Sequence, residues 1–126
     1  MFLDDREINP NRLSPLTLAF IGDAVHSLYA REQVVAEGNR PVNSLHKATT
    51  EKVSAVNQCA GIKRIMDTLT ETELSVFKRG RNASTSHTPK NASEGDYHYS
   101  TGFETLIGYL YLDGQYDRLK EILKEI

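Results

Sequence analysis

The segment from Leu13 to Leu28 is apolar around almost its whole length, yet it sets one carboxylate directly beside a glycine, Asp23 after Gly22. Ser14 followed by Pro15 reads as an N-cap with proline at the first helical position, opening a helix that runs to about Glu37, with Gly38 and Pro41 closing it. On that helix Leu18, Ile21, Val25 and Leu28 form one stripe, and Leu16, Phe20 and Ala24 form another. A helix apolar on most sides belongs in a protein interior or at a subunit interface. Asp23 is the only charged residue of the segment when histidine is neutral. Burying an unpaired carboxylate costs several kcal/mol or forces it to take up a proton. Asp23 therefore requires a cation, a set of donors, or a place at a cleft.

A second stretch repeats the pattern. From Tyr97 to Leu112 the sole charged residue is Glu104, set among Phe103, Leu106, Ile107, Leu110 and Tyr111, with Gly108 one turn later. Inside a helix each glycine costs about 1 kcal/mol relative to alanine, a cost that makes sense where two helices approach closely. Packed together, the two helices would bring Asp23 and Glu104 to one Mg²⁺, an ion that takes one or two carboxylates and keeps several waters. The competing reading gives each carboxylate a hydroxyl or backbone partner instead.

The rest of the chain extends the helical pattern, and no segment alternates convincingly as a strand would. Asn43 or Ser44 can cap a second helix through about Ile65. Thr70 and Glu73 have capping-box spacing and open a third, to about Arg79. Tyr116, Leu119, Ile122, Leu123 and Ile126 form the apolar face of a last helix. With 126 residues, 39% hydrophobic and 25% charged, the expectation is one all-α domain over the whole chain. A polar loop is expected between the third and fourth helices, from Gly80 to Asp96.

Composition excludes several chemistries. One cysteine, Cys59, rules out an intrachain disulfide framework and multi-cysteine zinc motifs. His26, His46, His87 and His98 lack the spacing of a zinc site. His26, one turn after Asp23, reads either as a group orienting that carboxylate or as a packed core histidine. The most apolar run, Leu106 to Leu112, is broken by Gly108 and too short to span a membrane. The opening residues Met1 to Glu7 are acidic and unlike a signal peptide, so a cytoplasmic setting is expected.

The net charge of −2 does not itself point to nucleic acid. Yet no acidic residue occurs from Leu74 to Ser93, where Lys78, Arg79, Arg81 and Lys90 lie with Asn82, Ser84, Thr85 and other hydrogen-bonding groups. A second acid-free stretch, Gly38 to Thr50, carries Arg40, His46 and Lys47. Such residues are the usual contacts to phosphate and sugar. Beside two carboxylates they favour a polyanionic substrate over a merely solvated loop.

The segment Leu18-Ala19-Phe20-Ile21-Gly22-Asp23-Ala24-Val25 resembles the signature helix of the ribonuclease III family. Phe103 to Asp113 is similar to that family's second acidic motif, and Leu45 to Ser54 to the helix between them. Arg79-Gly80-Arg81-Asn82-Ala83 and Thr88-Pro89-Lys90-Asn91 resemble the mini-ribonuclease III branch, which keeps only the catalytic domain. The resemblance runs from about Leu13 to Ile126 and leaves residues 1–12 as an extension.

This resemblance implies a homodimeric, Mg²⁺-dependent endoribonuclease that cuts double-stranded RNA to leave 5′-phosphate and 3′-hydroxyl ends. A large-subunit ribosomal RNA precursor is the implied substrate, with a ribosomal protein as a conceivable helper. Asp23 and Glu104 become catalytic and metal-holding residues. Lys47, Lys78, Arg79, Arg81, Asn82, Ser84, Thr85 and Lys90 become the RNA-binding set, since the branch it resembles is expected to work without a separate RNA-binding domain. The family's glutamate before Phe20 is Ala19 here, and the aspartate three residues before Glu104 is Thr101. Those two departures give a sparser site, and they favour the alternative, a catalytically silent RNA-binding or ribosome-assembly module of the same fold.

Overall fold

Side-chain caps and glycines set the helix limits. In the computed structural model, which describes residues 1–3, 7–83 and 93–126, Ser14 Oγ accepts the backbone N–H of Thr17 at 3.2 Å and opens α1, Pro15–Ala36. Gly38, at φ +126°, turns the chain away from its end in a conformation that side-chain-bearing residues rarely adopt. Helix α2, Val42–Lys52, follows Pro41 with no side-chain cap. Ser54 is extended, caps Asn57 N–H at 3.2 Å and starts α3, Ala55–Ile65. The single helix expected from Asn43 or Ser44 to Ile65 is therefore two, because Ser54 takes a capping conformation in its middle.

A 3₁₀ turn, Met66–Thr68, leads into α4, Glu71–Ala83. The capping box forms in both directions: Glu73 N–H donates to Thr70 Oγ1 at 3.1 Å, and Thr70 N–H to Glu73 Oε1 at 2.9 Å. Ser93 caps α5, Glu94–Leu112, through Asp96 N–H at 3.0 Å. Both helices reach further into the polar segment than expected, so Gly80–Ala83 and Glu94–Asp96 are helical rather than loop. Helix α6, Tyr116–Leu123, closes the fold. Arg118 on α6 donates to both carboxylate oxygens of buried Glu73, at 2.9 and 3.0 Å, and to the Thr68 carbonyl at 3.0 Å. This ties α6 to the start of α4. No strand occurs among the described residues, and none of their helices is long and apolar enough to cross a membrane.

Helix α5 is the central element, packed against α1, α3, α4 and α6. Phe103, Leu106, Ile107 and Leu110 are all inaccessible to solvent. Against α1 the approach is backbone on backbone: a Cβ on Gly22 would overlap the Glu104 carbonyl, and one on Gly108 would overlap the Leu18 carbonyl. The close approach expected from the two glycines is present. Thr105, buried beside this crossing, donates its hydroxyl to the carbonyls of Thr101 at 2.7 Å and Pro15 at 3.2 Å. Against α4, Gly102 admits the Phe77 ring and Gly80 admits the Thr105 side chain.

The buried strip of α1 runs through Leu18, Ala19, Gly22, His26, Ala30 and Val34. Ile21 and Val25 are half-buried, but Leu28 is 58% exposed, which corrects the stripe drawn through it. The other stripe faces solvent as a whole, with Leu16 and Ala24 exposed and Phe20 at 78%.

Substituting Gly108→Ala should destabilise the chain by about 3 kcal/mol, because neither backbone at the crossing can yield cheaply. Gly95→Ala, on the open side of the same helix, should change stability by less than about 1 kcal/mol. Urea unfolding midpoints of the two variants measure the difference.

Candidate active site

Asp23 on α1 and Glu104 on α5 meet where the helices cross, since Gly22 packs on the Glu104 carbonyl and Asp23 follows Gly22 in the chain. The two differ in exposure. Asp23 is exposed, so the burial expected for it is not observed, and the cost falls on half-buried Glu104. Burial, a hydrogen bond with the Asp23 carboxylate and the charge of that carboxylate together push the Glu104 carboxyl up to about 8. A donor from the Gln58 side chain pulls the other way. No lysine or arginine among the described residues forms an ion pair with either carboxylate.

His26 is 3% exposed and stacks edge-on against Phe103, with ring centres 5.1 Å apart. Its Nδ1 lies 2.9 Å from Nε2 of Gln58, which is 2% exposed on α3. Burial lowers the imidazole to about 4 against the opposing pull of Asp23. His26 is thus a packed, neutral core histidine whose hydrogen bond goes to Gln58. Gln58 was not among the sequence candidates. The one signal for it is a polar residue one turn before Ile62, on the buried face of α3.

Ala19 and Thr101, the two departures from the motif, are both buried, with the Thr101 hydroxyl donating to the Tyr97 carbonyl at 3.0 Å. Among the described residues no group of three or more His, Cys, Asp and Glu gathers as a metal cluster. The Asp23–Glu104 pair is therefore the candidate centre. Two hard oxygen donors with no described cation between them suit a divalent ion that keeps most of its own waters.

The basic residues are helical. Lys78, Arg79 and Asn82 line a shallow cavity of about 440 Å³ with Glu71, Leu74 and Ser75. Arg81 and Asn82 line a second, of about 490 Å³, with Gly95, His98 and Tyr99. The Arg81 guanidinium lies 6.0 Å from the ring centres of both Phe77 and Tyr99. Gly80 joins this segment to α5 at Thr105, the residue after Glu104. Lys47 is exposed on α2. Ser84, Thr85, His87 and Lys90 lie outside the described residues.

The ribonuclease III domain model matches residues 16–115. The chain is 54% identical to a Mini-ribonuclease 3 of Thermoanaerobacter sp. over 89% of this chain and 79% of that one. It is 46% identical to one of Symbiobacterium thermophilum over 94% and 92%. A crystal structure of a Fusobacterium nucleatum protein, 31% identical, superimposes with a TM-score of 0.81 and covers 90% of both chains.

The raised Glu104 carboxyl has a consequence for stability. Its folded value, about 8, lies above the ordinary 4.5, so the folded chain holds this proton more tightly than the unfolded one does. The resulting stabilisation is complete below 4.5 and is lost as pH rises through about 8, at about 1.4 kcal/mol per unit. In chelator, the melting temperature should fall between pH 6.5 and 8.5, a range above the His26 titration. Glu104→Gln should lack this fall, and thermal melts of the two proteins across the range check it.

Proposed function

The chain belongs to the ribonuclease III family and is an endoribonuclease; on that premise we propose that it cuts double-stranded RNA with Mg²⁺ held by Asp23 and Glu104. The observation that carries this reading is the pairing of the two carboxylates at the glycine crossing, one buried enough to retain a proton and neither with a described cation partner. When bound, Mg²⁺ supplies positive charge at the phosphate being cut and favours in-line attack by water. The chain's own part is to hold Asp23 and Glu104 side by side, one open to solvent and one set into the core. Products would carry 5′-phosphate and 3′-hydroxyl ends.

The RNA is held by Lys47, Lys78, Arg79, Arg81, Asn82, Ser84, Thr85 and Lys90, as contacts to phosphate and sugar that position the duplex without reading its bases. The exposed side chains of Lys47, Lys78, Arg79 and Asn82 support this assignment. The substrate in the cell is a large-subunit ribosomal RNA precursor in the cytoplasm, with a ribosomal protein as helper. Residues 1–126 act as one catalytic domain, residues 1–12 being an extension. The active form is a homodimer. Two strands need two cuts, which two-fold symmetry supplies from one kind of site, and the exposed Leu16, Phe20, Ala24 and Leu28 offer an apolar face for such a contact.

Asp23→Asn and Glu104→Gln should each reduce cleavage of duplex RNA by at least about 10³-fold while duplex binding in chelator stays near that of the parent and neither variant melts earlier than it does. Gel analysis of duplex RNA with Mg²⁺ and with chelator tests this, and cutting retained by either variant removes that residue from the centre. The hold on RNA has its own test. Binding should weaken steeply with salt, and Arg79→Ala with Arg81→Ala should lower affinity alike for different duplexes and flatten the salt slope by roughly 0.7–0.9 for each phosphate left without its cation. Binding isotherms over a salt series read both quantities.

A further inference from the structure

Gln58 is fully enclosed on α3, yet it reaches one member of the carboxylate pair, Glu104 from α5, and the buried His26 from α1. Its amide nitrogen carries two hydrogens and its oxygen none, so which way the amide faces decides whether it attracts or repels a carboxylate. In the structure the amide nitrogen faces His26 Nδ1 at 2.9 Å, and because an amide nitrogen only donates, the buried imidazole accepts there and carries its own hydrogen on Nε2. With its nitrogen held there, Gln58 presents its second hydrogen, rather than its oxygen, to Glu104.

We propose that Gln58 is the positioning residue of the centre: anchored by His26, it holds the Glu104 carboxylate in one orientation, ready to take a divalent ion. This rests on Asp23 and Glu104 holding the ion. The arrangement matches the rule that partners behind a metal-holding side chain fix its orientation and tune its basicity, with effects of 10–100-fold when they are removed. It also accounts for the placement of a glutamine on the face of α3 that otherwise buries Cys59, Gly61, Ile62 and Ile65. Every buried side-chain nitrogen and oxygen among the described residues has a partner, so the network is closed as it stands.

The test uses the full chain with Gln58→Met, which keeps the length of the side chain and removes the donor. Mn²⁺ affinity, read without RNA from the electron paramagnetic resonance signal of the free ion, should weaken by about tenfold. At limiting Mg²⁺, kcat should fall by a similar factor while KM for duplex RNA holds, and the melting temperature should drop only by what an unpartnered His26 Nδ1 costs. Parental Mn²⁺ affinity and kcat, measured well below the melting transition, would overturn the proposal, and so would a loss of kcat that saturating Mg²⁺ leaves unchanged. A second measurement needs no change at Gln58. In nitrogen-15 spectra the Gln58 side-chain amide pair should move when Mg²⁺ is added to the parent chain, and stay still in Glu104→Gln. An amide pair indifferent to Mg²⁺ in the parent overturns the proposal as well. Glu104→Gln run alongside separates the two ideas. If it keeps Mn²⁺ affinity and cutting, the metal reading fails; if it loses both while Gln58→Met keeps both, only the positioning role fails.

Discussion

The crossing of α1 and α5 through Gly22 and Gly108 is the contact on which the rest of the structure depends. Two helices normally stand apart by the thickness of their side chains. Here each glycine faces a carbonyl of the other helix, Glu104 for Gly22 and Leu18 for Gly108, with no space for a methyl group. The two glycines together cost about 2 kcal/mol of helix propensity. The return is an interface in which the inner face of α1 and nearly the whole of α5 are enclosed, with Leu18, Phe103, Leu106, Ile107 and Leu110 wholly buried. The same crossing sets Asp23 and Glu104 against one another, so core packing and the candidate centre share one geometric cause.

Electrostatics then makes the two carboxylates unlike. Close carboxylates in a poorly solvated setting resist being charged together. Asp23 keeps contact with water, whereas Glu104 is set into the core, so the penalty falls on Glu104 and it retains a proton towards pH 8. Behind it, His26 and Gln58 form a polar pair within an otherwise apolar layer. Burial keeps the imidazole neutral, and a neutral imidazole is what allows it to accept from an amide. A buried polar network is tolerable only when each member is satisfied, and this one is.

Helix α1 has two apolar faces with different fates. One lies on α5, where small residues, Ala19, Gly22 and Ala30, let the backbones close up. The other leaves Leu16, Phe20 and Leu28 in water on the opposite side. An apolar stripe of this kind on a small chain is a surface that gains from being covered. Helix α4 approaches α5 by the same device, with Phe77 over Gly102 and Gly80 over Thr105, which brings the basic end of α4 to the stretch of α5 that holds Glu104.

Much of this was legible in the residues because the signals are local. Ser14-Pro15 opened α1, the Thr70–Glu73 box opened α4, and the two apolar segments each showed one carboxylate with a glycine within a turn. Caps and periodicity act over three or four residues, so neighbours in the chain suffice to read them. The break at Ser54 and the extension of α4 and α5 into the polar segment were missed, since polar residues serve caps, helix ends and loops alike. Burial was a different matter. Asp23 and Glu104 lie in equally apolar company along the chain, yet one faces water and the other the core. Gln58 gains its meaning from His26, 32 positions away, and from Glu104 on a third helix. The sequence by itself determined that the chain is helical and which two apolar segments carry a lone carboxylate beside or within a turn of a glycine. Only the packing of three helices decided which carboxylate is buried and what stands behind it, because exposure and charge depend on neighbours that are distant in the chain and close in space.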